Sequence, residues 1–167
     1  MNLYLLRHGI AAERGAPGFK TDADRPLISK GRRQLGQIAA AMQRLDLDFD
    51  LVLSSPFLRA RQTAEIVARL LKLNKRLAFS DALTPDGDPK VLIRQLNELR
   101  PAPENVLLVG HEPYLSRLVA LLISGGETAG IELKKGGLCK LEIASLRLGR
   151  CATLAWLLTP KQMKLMA

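Results

Sequence analysis

The chain has 167 residues, 47% of them hydrophobic, with 25 Lys and Arg against 16 Asp and Glu for a formal net charge of +9. That length and apolar fraction fit one domain with a sizeable core, read as a single domain over residues 1–167, and no stretch approaches the ~18 consecutive apolar residues of a membrane span. Met1 to Arg7 lacks the positive region and long apolar run of a signal peptide, so a cytoplasmic protein with no membrane partner is expected.

Leu3 to Leu6 is a short apolar run that stops at Arg7-His8-Gly9 and reads as a buried strand. A polar stretch with Gly and Pro follows, from Glu13 to Pro26; connections this long in compact domains are often functional. Ser29 is the predicted N-cap of a helix whose Leu35, Ile38, Ala39 and Met42 recur at helical spacing. Leu51-Val52-Leu53 is the second strand, and Ser55 reads as a cap with Pro56 at the first helical position. Ala60, Ala64, Val67 and Leu71 form that helix's apolar stripe, and Arg76 to Phe79 reads as another strand. The turn cluster Thr84 to Pro89 ends in Asp88-Pro89, which can cap a helix running to about Leu99. Val106 to Val109 is the third central strand, and it stops at Gly110-His111-Glu112-Pro113. The next helix buries Leu115, Leu118, Val119 and Leu122 and closes at Gly125-Gly126.

The tail changes character. Leu138 to Leu146 and Cys151 to Leu158 read as an antiparallel hairpin joined at Arg147-Leu148-Gly149-Arg150. With Leu146 opposite Cys151, Cys139 falls opposite Leu158. The cysteines then lie roughly 23 Å apart along the strand, too far to bond, and both are expected as free thiols. Short apolar runs alternating with amphipathic segments predict an α/β fold: three layers, α/β/α, around a mostly parallel sheet with a C-terminal antiparallel hairpin.

Three core strands each end in a short polar motif. In an open α/β sheet, ligands bind beyond the carboxyl ends of the strands. If the strands are parallel neighbours, Arg7, His8, Arg59 and His111 converge on one rim. The chain has only two histidines, and both sit at such strand ends. Two guanidiniums can hold the oxygens of a phosphoryl group through forked hydrogen bonds. A neutral imidazole can attack phosphorus through one ring nitrogen while a backbone carbonyl holds the other. In this reading His8 is the nucleophile, and Arg7, Arg59 and His111 bind the phosphoryl group together with Gly9. A metal is not expected: arginines flank both histidines and would repel a cation, and there is no His-Glu-x-x-His or paired-Cys motif. No other cofactor is implied. Nucleic acid is not expected as a partner either, because aromatics are only 4% and no basic run is interleaved with them.

Leu5-Leu6-Arg7-His8-Gly9 resembles the signature of the histidine phosphatase superfamily, also called phosphoglycerate-mutase-like. Ser54 to Ala64 resembles that family's second motif, and Val109-Gly110-His111-Glu112-Pro113 its third. The resemblance covers nearly the whole chain. Arg25-Pro26-Leu27 with Gly31, the segment Leu83 to Asp88, and the ending Trp156 to Pro160 are similar to compact SixA-type phosphohistidine phosphatases. It implies phosphoryl transfer to His8, hydrolysis of the phosphohistidine enzyme by water, and a phosphohistidine-containing signalling protein, such as a histidine phosphotransfer domain, as substrate.

Many members of the superfamily carry a glutamate as general acid after the second motif. Here Ser80 to Asp88 contains none. Asp86, Asp88 and Glu112 are the candidate acids; each also reads as a turn or cap residue. An alkoxide leaving group needs a proton donor, whereas an imidazole leaving from phosphohistidine can take its own proton. The missing glutamate therefore favours a P–N substrate. Two alternatives stand beside this reading: a phosphatase for a small phosphomonoester, and a non-catalytic basic module in which Arg14, Lys20, Arg32, Arg33 and Arg61 steer an acidic partner.

Overall fold

The computed structural model describes residues 1–167. Six strands form one sheet: β1 (Asn2–Arg7), β2 (Leu51–Ser54), β3 (Leu77–Phe79), β4 (Asn105–Gly110), β5 (Leu138–Ile143) and β6 (Ala152–Leu158). Their order across the sheet is β3-β2-β4-β1-β5-β6. The first four are mutually parallel; β5 and β6 are antiparallel additions beside β1.

Side chains alternate between the two faces of a strand, and the two cores follow that alternation. Leu3 and Leu5 of β1, with Val106 and Leu108 of β4, pack against α3 (Pro89–Glu98) and α4 (Tyr114–Ser124). Tyr4 and Leu6, with Leu107 and Val109, pack against α1 (Ser29–Arg44) and α2 (Leu58–Leu70). The result is the α/β/α arrangement, with central strands apolar on both faces, as parallel sheets require. A last helix, α5 (Pro160–Met166), follows β6 and sets Met163 into the core that holds α1. Thr159 starts it through a capping box with Gln162; the sequence reading stopped short of this helix.

Local boundaries differ from expectation at informative places. Ser29 is already inside α1, and Ile28 is its N-cap. The chain arrives there extended, bridged by Ala11 to Leu27 and by the Ile28 amide to the Ile10 carbonyl, so the helix begins one residue early. Gly31 lies where α1 crosses this segment: a Cβ there would stand 2.2 Å from the Ile10 carbonyl oxygen. The segment directly after His8-Gly9 is thus pinned on a helix that only glycine lets come so close.

The hairpin register differs from expectation. At the turn end the pairing is displaced by two residues, with Ile143 opposite Ala152 where the expected register has Leu154. An extra residue on β6 at the Lys140/Leu141 irregularity takes back one, so Cys139 lies opposite Leu157, not Leu158. The strands also end earlier, at Ile143, with a wider turn to Ala152. Both cysteines are free thiols. No helix is long and apolar enough to cross a membrane.

Candidate active site

Register brings the motifs together. β4 lies between β2 and β1, with Arg7 beside Gly110 and Ser54 beside Val109. The residues just beyond are tied in the same way: the His8 amide donates to the Gly110 carbonyl and the Ser55 amide to the Val109 carbonyl. The carboxyl ends of three parallel strands therefore finish level, and the chain leaves each of them over one rim.

His8 is 5% exposed. Its Nδ1 lies 2.8 Å from the Gly9 carbonyl oxygen, which can only accept, so Nδ1 carries the proton. Nε2 keeps its lone pair and receives the Nε–H of Arg59 at 3.2 Å. Arg59 is the second residue of α2, and its side chain is only 4% exposed. Thr63, one turn later, joins helix to strand: its Oγ1 accepts from the Gly9 amide and donates to the Arg59 carbonyl. Gly9 thus spends its one amide proton on Thr63. Gly9 supports the His8 ring through its carbonyl.

The His111 ring centre lies 5.1 Å from that of His8. His111 Nε2 is paired with Ser55 Oγ at 2.8 Å, and its Nδ1 is buried with no partner. Ser55 was expected to cap a helix beginning at Pro56. Instead α2 starts at Leu58 with Phe57 as N-cap. Ser55 stays in sheet register, and its hydroxyl serves His111 while accepting from the Phe57 amide. Arg7 donates from Nη1 to the Leu133 carbonyl at 2.8 Å, and its Nε is buried without a partner. Buried polar atoms without partners are costly. Here three of them, on Arg7, His111 and Glu112, belong to residues that the sequence singled out.

Arg59, Glu112 and Asp86 line one open pocket of about 560 Å³, together with Asp22, Arg14 and Arg117. Of the three candidate acids, Asp88 is elsewhere: it caps α3 by accepting from the Lys90 amide. Asp86 is exposed at the rim. Glu112 is half-buried, accepts from Ser116 Oγ through one oxygen and leaves the other buried and unpaired. It does not cap α4; Pro113 holds that position. No group of three or more His, Cys, Asp or Glu side chains is arranged to hold a metal ion.

Asp22 was not anticipated. It begins a short 3-10 turn (Asp22–Asp24) inside the long connection after β1 and pairs with Arg59, Arg25 and Arg14. The only sequence signal was the length of that connection.

Electrostatics follow burial. Burial pushes His8 down to about 3, aided by the charges of Arg59 and Arg7 and opposed by the Gly9 hydrogen bond. Burial pushes His111 down to about 2, with His8 and Arg59 adding to it. Burial also lowers both Arg7 and Arg59 from their usual values, and it raises the Glu112 carboxyl against the pull of Ser116 and Arg7. Both imidazoles are therefore neutral near pH 7, the state in which Nε2 is nucleophilic.

Between pH 6.5 and about 3 the unfolded chain binds protons at its histidines and the folded chain does not. Stability therefore falls on acidification through this window, by at most about 1.4 kcal/mol per pH unit for each histidine. Nitrogen chemical shifts are expected to report two neutral rings from pH 7.5 to 5. Both rings titrating near 6.5 would contradict the buried site.

The Histidine phosphatase superfamily (branch 1) matches residues 3–83. An uncharacterized protein of Picosynechococcus is 37% identical over 149 residues, spanning 89% of this chain and 88% of the relative. The phosphohistidine phosphatase SixA of Escherichia coli is 34% identical over 126 residues, spanning 75% and 76%. A solved structure of the protein histidine phosphatase SixA complexed with tungstate superposes with a TM-score of 0.81 at 28% identity, covering 96% of this chain and 98% of that one. With strand ends, motifs and relatives in agreement, the chain belongs to the histidine phosphatase superfamily and is a phosphatase of that family.

Proposed function

We propose that this phosphatase removes the phosphoryl group from a phosphohistidine in a signalling protein, such as a histidine phosphotransfer domain, through a phosphorylated His8. The observation that carries the reading is the state of His8: one ring nitrogen is locked to the Gly9 carbonyl, and the other keeps an unprotonated lone pair whose one partner is the Nε–H of Arg59. Nε2 attacks phosphorus, the bond to the substrate's ring nitrogen breaks, and that imidazole leaves with the bonding pair and is protonated. Water then cleaves the P–N bond at His8 and releases phosphate.

The unpartnered atoms supply the rest. Arg7 Nε–H and His111 Nδ1–H donate to equatorial phosphoryl oxygens. In this reading the Ser55 hydroxyl, which accepts from the Phe57 amide, donates to His111 Nε2, and the ring proton sits on the unpartnered Nδ1. Arg59 Nε–H moves from the lone pair of Nε2 to the arriving group. Tungstate in the SixA structure is a tetrahedral oxyanion of the kind such a pocket would hold.

A protein substrate is supported by what the SixA relatives are named for, and the pocket lined by Arg59 is the surface recess available to it. One observation favours a small phosphomonoester instead. Glu112 lines the same pocket, and burial raises its carboxyl toward the protonated form, so the acid that the sequence seemed to lack has a candidate in the fold. The test compares a phosphorylated phosphotransfer domain with sugar phosphates and nucleotides, for the wild type and for Glu112→Gln. The phosphohistidine protein is expected to win by about 100-fold in kcat/KM, with Glu112→Gln costing it little, because imidazole is the easier leaving group. Faster turnover of one monoester, lost in Glu112→Gln, would establish the second reading.

A further inference from the structure

We infer that Asp22 is the positioning residue for Arg59, so that the long connection after β1 sets the geometry of phosphoryl transfer. This rests on the reading that Arg59 receives the phosphoryl group. Three contacts define the guanidinium. Nη1 donates to the Asp22 backbone carbonyl at 2.6 Å, Nη2 to Asp22 Oδ2 at 2.9 Å, and Nε to His8 Nε2 at 3.2 Å. One residue therefore grips both terminal nitrogens, through its carbonyl and its carboxylate, and leaves Nε–H as the donor beside the attacking atom.

Asp22 is itself held. Its other oxygen, Oδ1, accepts from Arg25 Nη1 at 2.7 Å and from Arg14 Nε at 3.0 Å. Arg25 is tied back in turn to the Ala12 carbonyl. The two carboxylate oxygens thus divide the work: one faces the connection and the other faces Arg59. Burial opposes ionisation of Asp22, but hydrogen bonds from Arg25 and Arg59 and the charge of Arg59 hold its carboxyl well below the usual range. Asp22 is therefore an anion near neutral pH.

A rival reading makes Asp22 a stand-in anion that the phosphoryl group must displace. The backbone carbonyl argues for positioning. It is an uncharged contact on Nη1 with which a phosphoryl group need not compete, and it fixes the plane of the guanidinium together with the carboxylate on Nη2. A planar fork gives its full benefit only when that plane is fixed.

The experiment uses Asp22→Ala and Asp22→Asn with an aryl phosphate, which reads phosphorylation of His8 independently of any protein substrate. Asp22→Ala is expected to slow His8 phosphorylation at saturating substrate by about 10- to 100-fold, the order expected for a misplaced group, with a smaller change in KM. Asp22→Asn keeps an acceptor and is expected to recover part of the rate. The Nε–H resonance of Arg59, slow to exchange in the wild type, is expected to broaden in Asp22→Ala. An unchanged or faster rate with a sharp Nε–H resonance would overturn the inference, and faster phosphorylation with tighter phosphate binding would establish the stand-in anion. Should Asp22→Ala fail to fold, the same criteria are read on Asp22→Asn, where a wild-type rate and a sharp resonance would count against positioning. If neither variant changes and the phosphohistidine protein is still turned over, the role of Asp22 fails alone; if the variants slow the aryl phosphate but no phosphohistidine protein is a substrate, only the substrate reading fails.

Discussion

His8→Ala is expected to abolish turnover, lowering kcat by about 10⁴-fold or more, as loss of a covalent nucleophile does in other hydrolases. The size of the effect follows from the arrangement. No other imidazole or thiol is free to replace it: His111 Nε2 is engaged by Ser55, and both cysteines lie in or beside the C-terminal hairpin, Cys139 in β5 and Cys151 next to β6. Water would have to attack unaided. The fold should survive, because the ring's protein contacts are one hydrogen bond to Gly9 and one from Arg59; losing such bonds costs about 1–3 kcal/mol. Rapid-quench kinetics with circular dichroism checks both halves of the expectation. A folded His8→Ala protein with wild-type turnover would end the account.

Arg59→Ala ranks second. It removes the guanidinium beside the attacking nitrogen, and such losses of charge stabilisation cost about 10²- to 10³-fold in rate, or roughly 3–4 kcal/mol of barrier. Arg59→Lys is expected to recover little. An ammonium carries the charge but has no Nε–H for the His8 side and no second terminal nitrogen for Asp22. Steady-state kinetics of both variants tests this, and a lysine variant near the wild-type rate would show that charge alone suffices. Asp22 retains Arg14 and Arg25 in either variant, so thermal stability is a separable readout.

The sequence revealed the site through punctuation. Apolar runs that stop at Arg7-His8-Gly9, Ser54-Ser55-Pro56 and Gly110-His111 marked strand ends, and parallel pairing then placed them side by side. The Asp88 cap and the Gly125 helix stop were legible for the same reason, because local chemistry decides them. What escaped was set by partners distant in sequence. Ser55 has the form of an N-cap, but its hydroxyl was claimed by His111, 56 positions away. Thr63 looked like an ordinary helix residue until β1 arrived beside α2. Asp22 lay in a stretch without periodicity, and its three arginines come from either side of it and from α2. In the hairpin, the wider turn displaced the pairing and one extra residue on β6 partly restored it, leaving Cys139 opposite Leu157; alternation of side chains alone reveals neither.

Glu112 changes how the substrate argument should be weighed. The absence of a glutamate between Ser80 and Asp88 pointed to a leaving group that needs no acid. The fold supplies a half-buried carboxyl in the same pocket from the third motif. The preference for phosphohistidine therefore rests less on a missing acid and more on the SixA relatives.

The most direct measurement identifies the nitrogen of His8 that carries phosphate during turnover. With Nδ1 bound to the Gly9 carbonyl, only Nε2 can attack. Acid-free quenching of the enzyme with labelled aryl phosphate, followed by peptide mapping and separation of the two phosphohistidine isomers, should place the label on His8 at Nε2. Label on Nδ1, on another residue, or on no residue while phosphate is released would contradict the account.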